Sequence, residues 1–144
     1  MSTVAHILEK KGGEVITVEI GSTVFDAIQV MDTNHIGALI ICNKGDIAGI
    51  FTERDYLGKI ALKFRSSRET PVEEVMTSNV VVGNADDSIE RCMRLMTRHK
   101  CRHLPIVGED GLAGMVSLGD LVRHMLDEKQ REVDQLSSYI QGSY

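Results

Sequence analysis

The sequence predicts a mixed α/β (α+β) fold of two β-α-β-β-α units packed with pseudo-twofold symmetry. Three observations carry this expectation. Shifting the chain by 65 residues lays GALIICNKGDIAGIFTERD (37–55) over RHLPIVGEDGLAGMVSLGD (102–120) without a gap, so that Leu39 meets Leu104, Gly49 meets Gly114 and Asp55 meets Asp120. The register also holds upstream, where TVFDAIQVM (23–31) lies over SIERCMRLM (88–96) and Val15 over Val80. Finally, half of a 144-residue chain is too short for a comfortable core, so two copies that bury their apolar faces against each other are the economical solution.

Each unit opens with a short β-rich segment, Val15–Val18 or Val80–Val82. A helix follows whose apolar residues recur three and four apart, with Thr23 and Ser88 placed as N-caps. Next come a continuous apolar strand, a Gly/Asp-rich turn (43–46 or 108–111) and a second strand (Ile47–Phe51 or Leu112–Val116). Another helix starts near Thr52 or Ser117. The polar connector Lys63–Thr70 ends at Pro71, and PVEEVM then reads as a short helix before the second unit, as AHILEKKG does before the first. These boundaries divide the chain into repeat one (1–65), repeat two (66–126) and a C-terminal helical extension (127–144). Along the tail that starts at Asp120 and runs into that extension, Leu121, Met125, Val133, Leu136 and Ile140 form an intermittent apolar stripe, which suits docking on the module itself, on a second subunit or on a partner.

With 42% hydrophobic residues the chain can fill a core, and its apolar runs stop far short of the roughly 20 residues that cross a bilayer. No membrane partner is expected. A net charge of −5 and few aromatics argue against nucleic acid. Three cysteines, Cys42, Cys92 and Cys101, without a C-x-x-C pair, fit buried, reduced thiols and a cytoplasmic location. On a strand, His99, Cys101 and His103 would share one face, yet no fourth metal ligand accompanies them. Nucleophile elbow, zinc-protease and Walker motifs are all missing, so no enzyme activity is expected.

The chemistry concentrates at GIFTERD (49–55) and its copy GMVSLGD (114–120). Thr52-x-x-Asp55 and Ser117-x-x-Asp120 have the spacing of a capping box, which by itself means only a helix start. A strand running straight into a helix N-terminus also presents unpaired N–H groups to an anion such as phosphate, while an acid one turn later can accept hydrogen bonds from sugar hydroxyls. Phosphate with ribose points to a nucleotide.

On these residues the chain resembles a tandem pair of cystathionine-β-synthase (CBS) domains, a Bateman module, over about Val4 to Met125. The resemblance implies binding of AMP, ADP, ATP, NAD or S-adenosylmethionine in clefts between the paired repeats, with AMP first, then NAD, ATP or ADP, and no catalytic cofactor. It gives Asp55 and Asp120 to the ribose diol, and Thr52 and Ser117 to ribose or phosphate. Arg54, Arg102 and His103 are the phosphate candidates. Repeat one has Gly37 and Ala38 where repeat two has Arg102 and His103, which suggests one strong and one weak site. Ile16 and Val80, with Met76 and Asn79, are candidates for the adenine slot. The basic residues Lys59, Lys63, Arg65 and Arg68 read as a solvated helix face and linker, from which one could swing toward a phosphate. The resemblance further implies a flat homodimer and a stand-alone sensor of energy or redox state whose output lies in a separate regulated protein. The alternative is a structural or oligomerisation module in which both motifs are plain caps and no nucleotide binds.

Overall fold

The computed structural model describes residues 2–12 and 14–142. Its first half runs α1 (Val4–Lys11), β1 (Thr17–Glu19), α2 (Val24–Asn34), β2 (Ala38–Asn43), β3 (Asp46–Thr52) and α3 (Glu53–Asp55), which continues as a π-helical turn, Tyr56–Ala61. After a 3-10 turn at Val72–Glu74 the second half runs β4 (Gly83–Asn84), α4 (Ile89–His99), β5 (His103–Gly108), β6 (Gly111–Ser117) and α5 (Leu118–Gly142). Two three-stranded sheets result, β1-β2-β3 and β4-β5-β6, each with one parallel and one antiparallel pairing. The expected duplication of β-α-β-β-α is present.

The 65-residue offset survives into backbone detail. Ladder irregularities fall between Ile41 and Cys42 in one hairpin and between Ile106 and Val107 in the other. Left-handed C-caps close α2 at His35 (φ 54°) and α4 at Lys100 (φ 54°). The expected N-caps form as well: Asp26 N–H donates to Thr23 Oγ1 and Arg91 N–H donates to Ser88 Oγ, both at 3.1 Å.

Three expectations need correction. The first strand of repeat one is Thr17–Glu19 rather than Val15–Val18, and that of repeat two is Gly83–Asn84 rather than Val80–Val82. β-Branched composition located these strands only approximately, because the ladder exists only where the segment runs beside the central strand, from Ile40 to Cys42 or from Ile106 to Val107. Thirdly, His99, Cys101 and His103 do not share a strand face. His99 ends α4, the left-handed turn at Lys100 follows, and β5 begins only at His103.

Packing does not follow sequence order. Val4 and Ile7 of α1 are buried with Ile89, Cys92, Met96, Leu104 and Leu121, all of the second half. In return Val72 and Val75 are buried with Val24, Leu39, Phe51 and Ile60 of the first. Each leading segment also bridges to the other half's helix cap, Thr3 to Ser88 and Pro71 to Thr23. A lone repeat would leave one face of its apolar cluster wet, and the leading segment of the other repeat covers it.

These crossings press on the two motif glycines. A Cβ at Gly49 would stand 2.5 Å from Met76 Sδ and 2.8 Å from the Thr77 carbonyl oxygen, and one at Gly114 would stand 2.7 Å from Leu8 Cδ2. Gly49→Ala should therefore destabilise the fold by about 1–3 kcal/mol through overpacking. Gly58→Ala, whose Cβ meets nothing within 4 Å, should stabilise the helical turn by about 0.5–1 kcal/mol. Urea unfolding of both variants measures the difference, and equal midpoints would mean that the crossing segment yields without cost.

Candidate functional site

The site is built at the two corners where β3 meets α3 and β6 meets α5. At the first, Asp55 N–H donates to Thr52 Oγ1 at 3.2 Å while Thr52 N–H donates to Asp55 Oδ2 at 3.0 Å. At the second, Asp120 N–H donates to Ser117 Oγ at 3.1 Å and Ser117 N–H to Asp120 Oδ2 at 2.8 Å. Both capping boxes therefore form, and the aspartates replace the more usual Glu or Gln.

The cap engages one carboxylate oxygen of each pair. Asp55 Oδ1 instead lies 3.0 Å from Lys59 Nζ, with the Thr77 hydroxyl at 3.4 Å. Arg123 Nη2 lies 2.6 Å from Asp120 Oδ1, and Lys11 Nζ lies 2.9 Å from Oδ2 of the same carboxylate. Asp55 and Asp120 are only 8% and 9% exposed, and a carboxylate that far from water needs such partners. Each lysine is also tethered by a backbone carbonyl, Lys59 by Val75 at 2.8 Å and Lys11 by Met115 at 3.1 Å. Lys59, expected on a solvated helix face, instead pairs with the buried Asp55 at i+4, and Arg123, which the sequence reading did not single out, pairs at i+3; Lys11, 109 residues from Asp120, carried no local signal.

The crossing of leading segments decides what surrounds each corner. Thr77 exchanges both backbone hydrogen bonds with Ile50 on β3, at 2.8 and 2.9 Å, which sets Met76 against Gly49 and Thr77 beside Asp55. Asn79 and Val80 follow in the chain, the first exposed and the second half-buried, while Ile16 is half-buried and packs on the first core. Arg54 and Arg102 are exposed and make no ion pair among the described residues. Of the remaining basic run, Arg65 pairs with Glu74 at 2.6 Å and Arg68 lies over the Phe25 ring at 4.1 Å.

Ser117 pairs across the hairpin with His103. The histidine also reaches the first repeat, because a Cβ on Gly37 would lie 3.8 Å from His103 Nε2 and 2.7 Å from Glu53 Oε1. Burial pushes the His103 pKa down, against the upward pull of the Glu53 and Asp120 carboxylates. The corners are also matched in backbone: Glu53 N–H donates to the Gly37 carbonyl at 3.1 Å and Leu118 N–H to the Arg102 carbonyl at 2.9 Å.

Two cavities lie beside these corners rather than over them. One of about 520 Å3 runs between α2 and the π-helical turn, past Ile28, Met31 and Tyr56 to Gly37 and Glu53. The other, about 360 Å3, separates α1 from α5 near His6, Lys10, His124 and Arg131. Neither is lined by Asp55 or Asp120, whose surroundings hold the cations instead.

Two copies of a strand-to-helix corner, each completed by a segment leading into the opposite repeat, define a paired-repeat module. The family model for the CBS domain matches residues 4–62 and 72–127, and the chain belongs to that family. It is 37% identical over 152 residues to the mitochondrial CBS domain-containing protein CBSX3 of Arabidopsis thaliana, covering 99% of this chain and 74% of that one. A CBS-domain containing protein from Agrobacterium tumefaciens superposes with a TM-score of 0.80 at 32% identity, over 86% of this chain and 99% of the other. The CBS domain pair of the protein MJ0100, solved in complex with 5-methylthioadenosine and S-adenosyl-L-methionine, shares the fold with a TM-score of 0.77 at 22% identity, over 89% and 98%.

Burial raises the Asp120 pKa, but the Ser117 N–H, Lys11 and the Ser117 hydroxyl together outweigh it and hold the carboxyl below its ordinary 3.8. A depressed carboxylate pKa contributes stability above the unfolded value and loses it as pH falls through the folded one. Asp120→Asn should therefore cost on the order of 1 kcal/mol at pH 7, with the gap to wild type closing below about pH 4. Urea midpoints between pH 7 and 3 test this, and a gap that widens on acidification would contradict it.

Proposed function

We propose that the chain is a regulatory module that binds an adenosine nucleotide across the two corners and acts by changing shape or partner affinity, without turnover. The observation that carries this reading is the division of labour within each carboxylate. A helix cap needs one oxygen; the second oxygen of Asp55 and of Asp120 is surplus to the cap and suits a ribose hydroxyl. The same arrangement in both repeats supports it further, as does the adenosine-type ligand pair held by the MJ0100 domain pair.

In this reading Thr52 and Ser117 hold ribose or phosphate, and Arg54, Arg102 and His103 face the phosphates. Met76, Asn79 and Val80 on one side, and Ile16 on the other, border the adenine. AMP is the first choice, followed by NAD, ATP or ADP. A homodimer, a cytoplasmic location and a separate regulated protein complete the proposal, and the ligand shifts the module only by its differential affinity for two states. Residues 1–65 and 66–126 serve as the repeats, with 127–144 as an extension.

Calorimetric titration of ligand-stripped protein with AMP, ADP, ATP, NAD and S-adenosylmethionine tests the reading. Micromolar or tighter binding of one of them is expected, with at least about tenfold loss in Asp55→Asn or Asp120→Asn. Asparagine retains capping ability, so both variants should stay folded. Silence from all five ligands, with only about 1 kcal/mol of stability lost per altered cap, would favour a structural module instead.

A further inference from the structure

We infer that α5 pairs antiparallel with α5 of a second copy of this chain, through a stripe of apolar residues that its own module leaves uncovered. The inference goes beyond the nucleotide reading and does not depend on it.

The stripe is set by spacing. Val122, Leu126, Lys129, Val133, Leu136 and Ile140 follow one another at alternating steps of four and three residues, the a/d repeat of a coiled coil, with one lysine in the seam. The five apolar members are 40% to 64% exposed, although Leu121 and His124 on another face of the same helix are buried. The family match ends at residue 127, and from Lys129 to Gln141 every residue of α5 is exposed. A helical stretch of that length with no packed face is marginal in water, so its seam needs a cover.

Self-complementarity identifies that cover. Two α5 helices aligned antiparallel about Arg131 set each a position against a d position. Val122 then meets Ile140 of the partner subunit, Leu126 meets Leu136 of the partner subunit, and Lys129 meets Val133 of the partner subunit. The lysine stem lies on the valine while its ammonium extends toward Glu132 of the partner subunit, the neighbour of that valine in sequence. Parallel pairing would instead stack Lys129 on Lys129 of the partner subunit in the middle of the seam, a like-charge contact. The antiparallel contact is isologous, so it closes on two copies. It buries roughly 500 Å2 per copy, about 1,000 Å2 in all, which is the lower bound of a specific interface.

Sedimentation equilibrium of the full chain at on the order of 50 μM, wild type against Leu136→Glu, tests the pairing. Leu136 is 63% exposed, so the substitution should leave the urea midpoint of the module in place while it halves the mass of the assembly. Halving is expected whether α5 is the sole contact between copies or joins dimers formed on another face. A wild-type monomer, with α5 folded back on its module or awaiting another protein, would overturn the inference. So would a Leu136→Glu assembly of wild-type mass. Cross-linking tests the direction, in a Cys101→Ser background because Cys42 and Cys92 are already buried. Leu126→Cys and Leu136→Cys proteins, mixed under mild oxidation, should join in a mixed disulfide. Its absence, or self cross-linking of either variant alone, would overturn the antiparallel arrangement.

Discussion

The rest of the structure depends on one constraint: neither repeat can close its own apolar cluster. With roughly 60 residues each, the halves fall in the size range where a single core is marginal, and each borrows a few residues from the other's leading segment. Val4 and Ile7 go to the second core, Val72 and Val75 to the first. Because the exchange is mutual, the two halves form one body, and the borrowed segments arrive beside the motif glycines. This is why Lys11 reaches Asp120 and Thr77 reaches Asp55. Core packing and site assembly are consequences of the same crossing.

The corner aspartates show how structural and functional readings of one motif can both hold. A capping box draws on one oxygen of the carboxylate, and in each corner that oxygen is Oδ2. Burial of the charge then requires compensation at the other oxygen, supplied by Lys59 in one corner and Arg123 in the other, with Lys11 in addition at the second. Three cations thereby gather at the two corners, in a chain whose net charge is −5. The local charge at the corners and the charge of the whole protein are separate quantities.

Much of the fold was legible because duplication multiplies weak local signals. One Thr-x-x-Asp means a cap; two in register with matching strands and helices fix the order of elements. The short edge strands were misplaced because β-branched residues mark extended chain, whereas a ladder also needs a neighbour to pair with. At the corners, Thr52, Asp55, Ser117 and Asp120 stood out, whereas Lys59 was read as part of a solvated face and Arg123 was not singled out, although both have helical ion-pair spacings. Arg54 and Arg102 lie exposed near the corners, while the contacts of Lys11, Thr77 and the Gly37-facing His103 depend on chain segments far apart in sequence.

The sequence by itself determined the element order, the helix caps, the hairpin turns and the identity of the two corners, since these depend on residues within one or two turns of each other. The tertiary structure alone decided which leading segment covers which core, which cation neutralises which carboxylate, and how closely His103 approaches the first repeat. Those outcomes rest on burial of apolar area between distant segments, which is non-directional and leaves no fixed spacing in the chain.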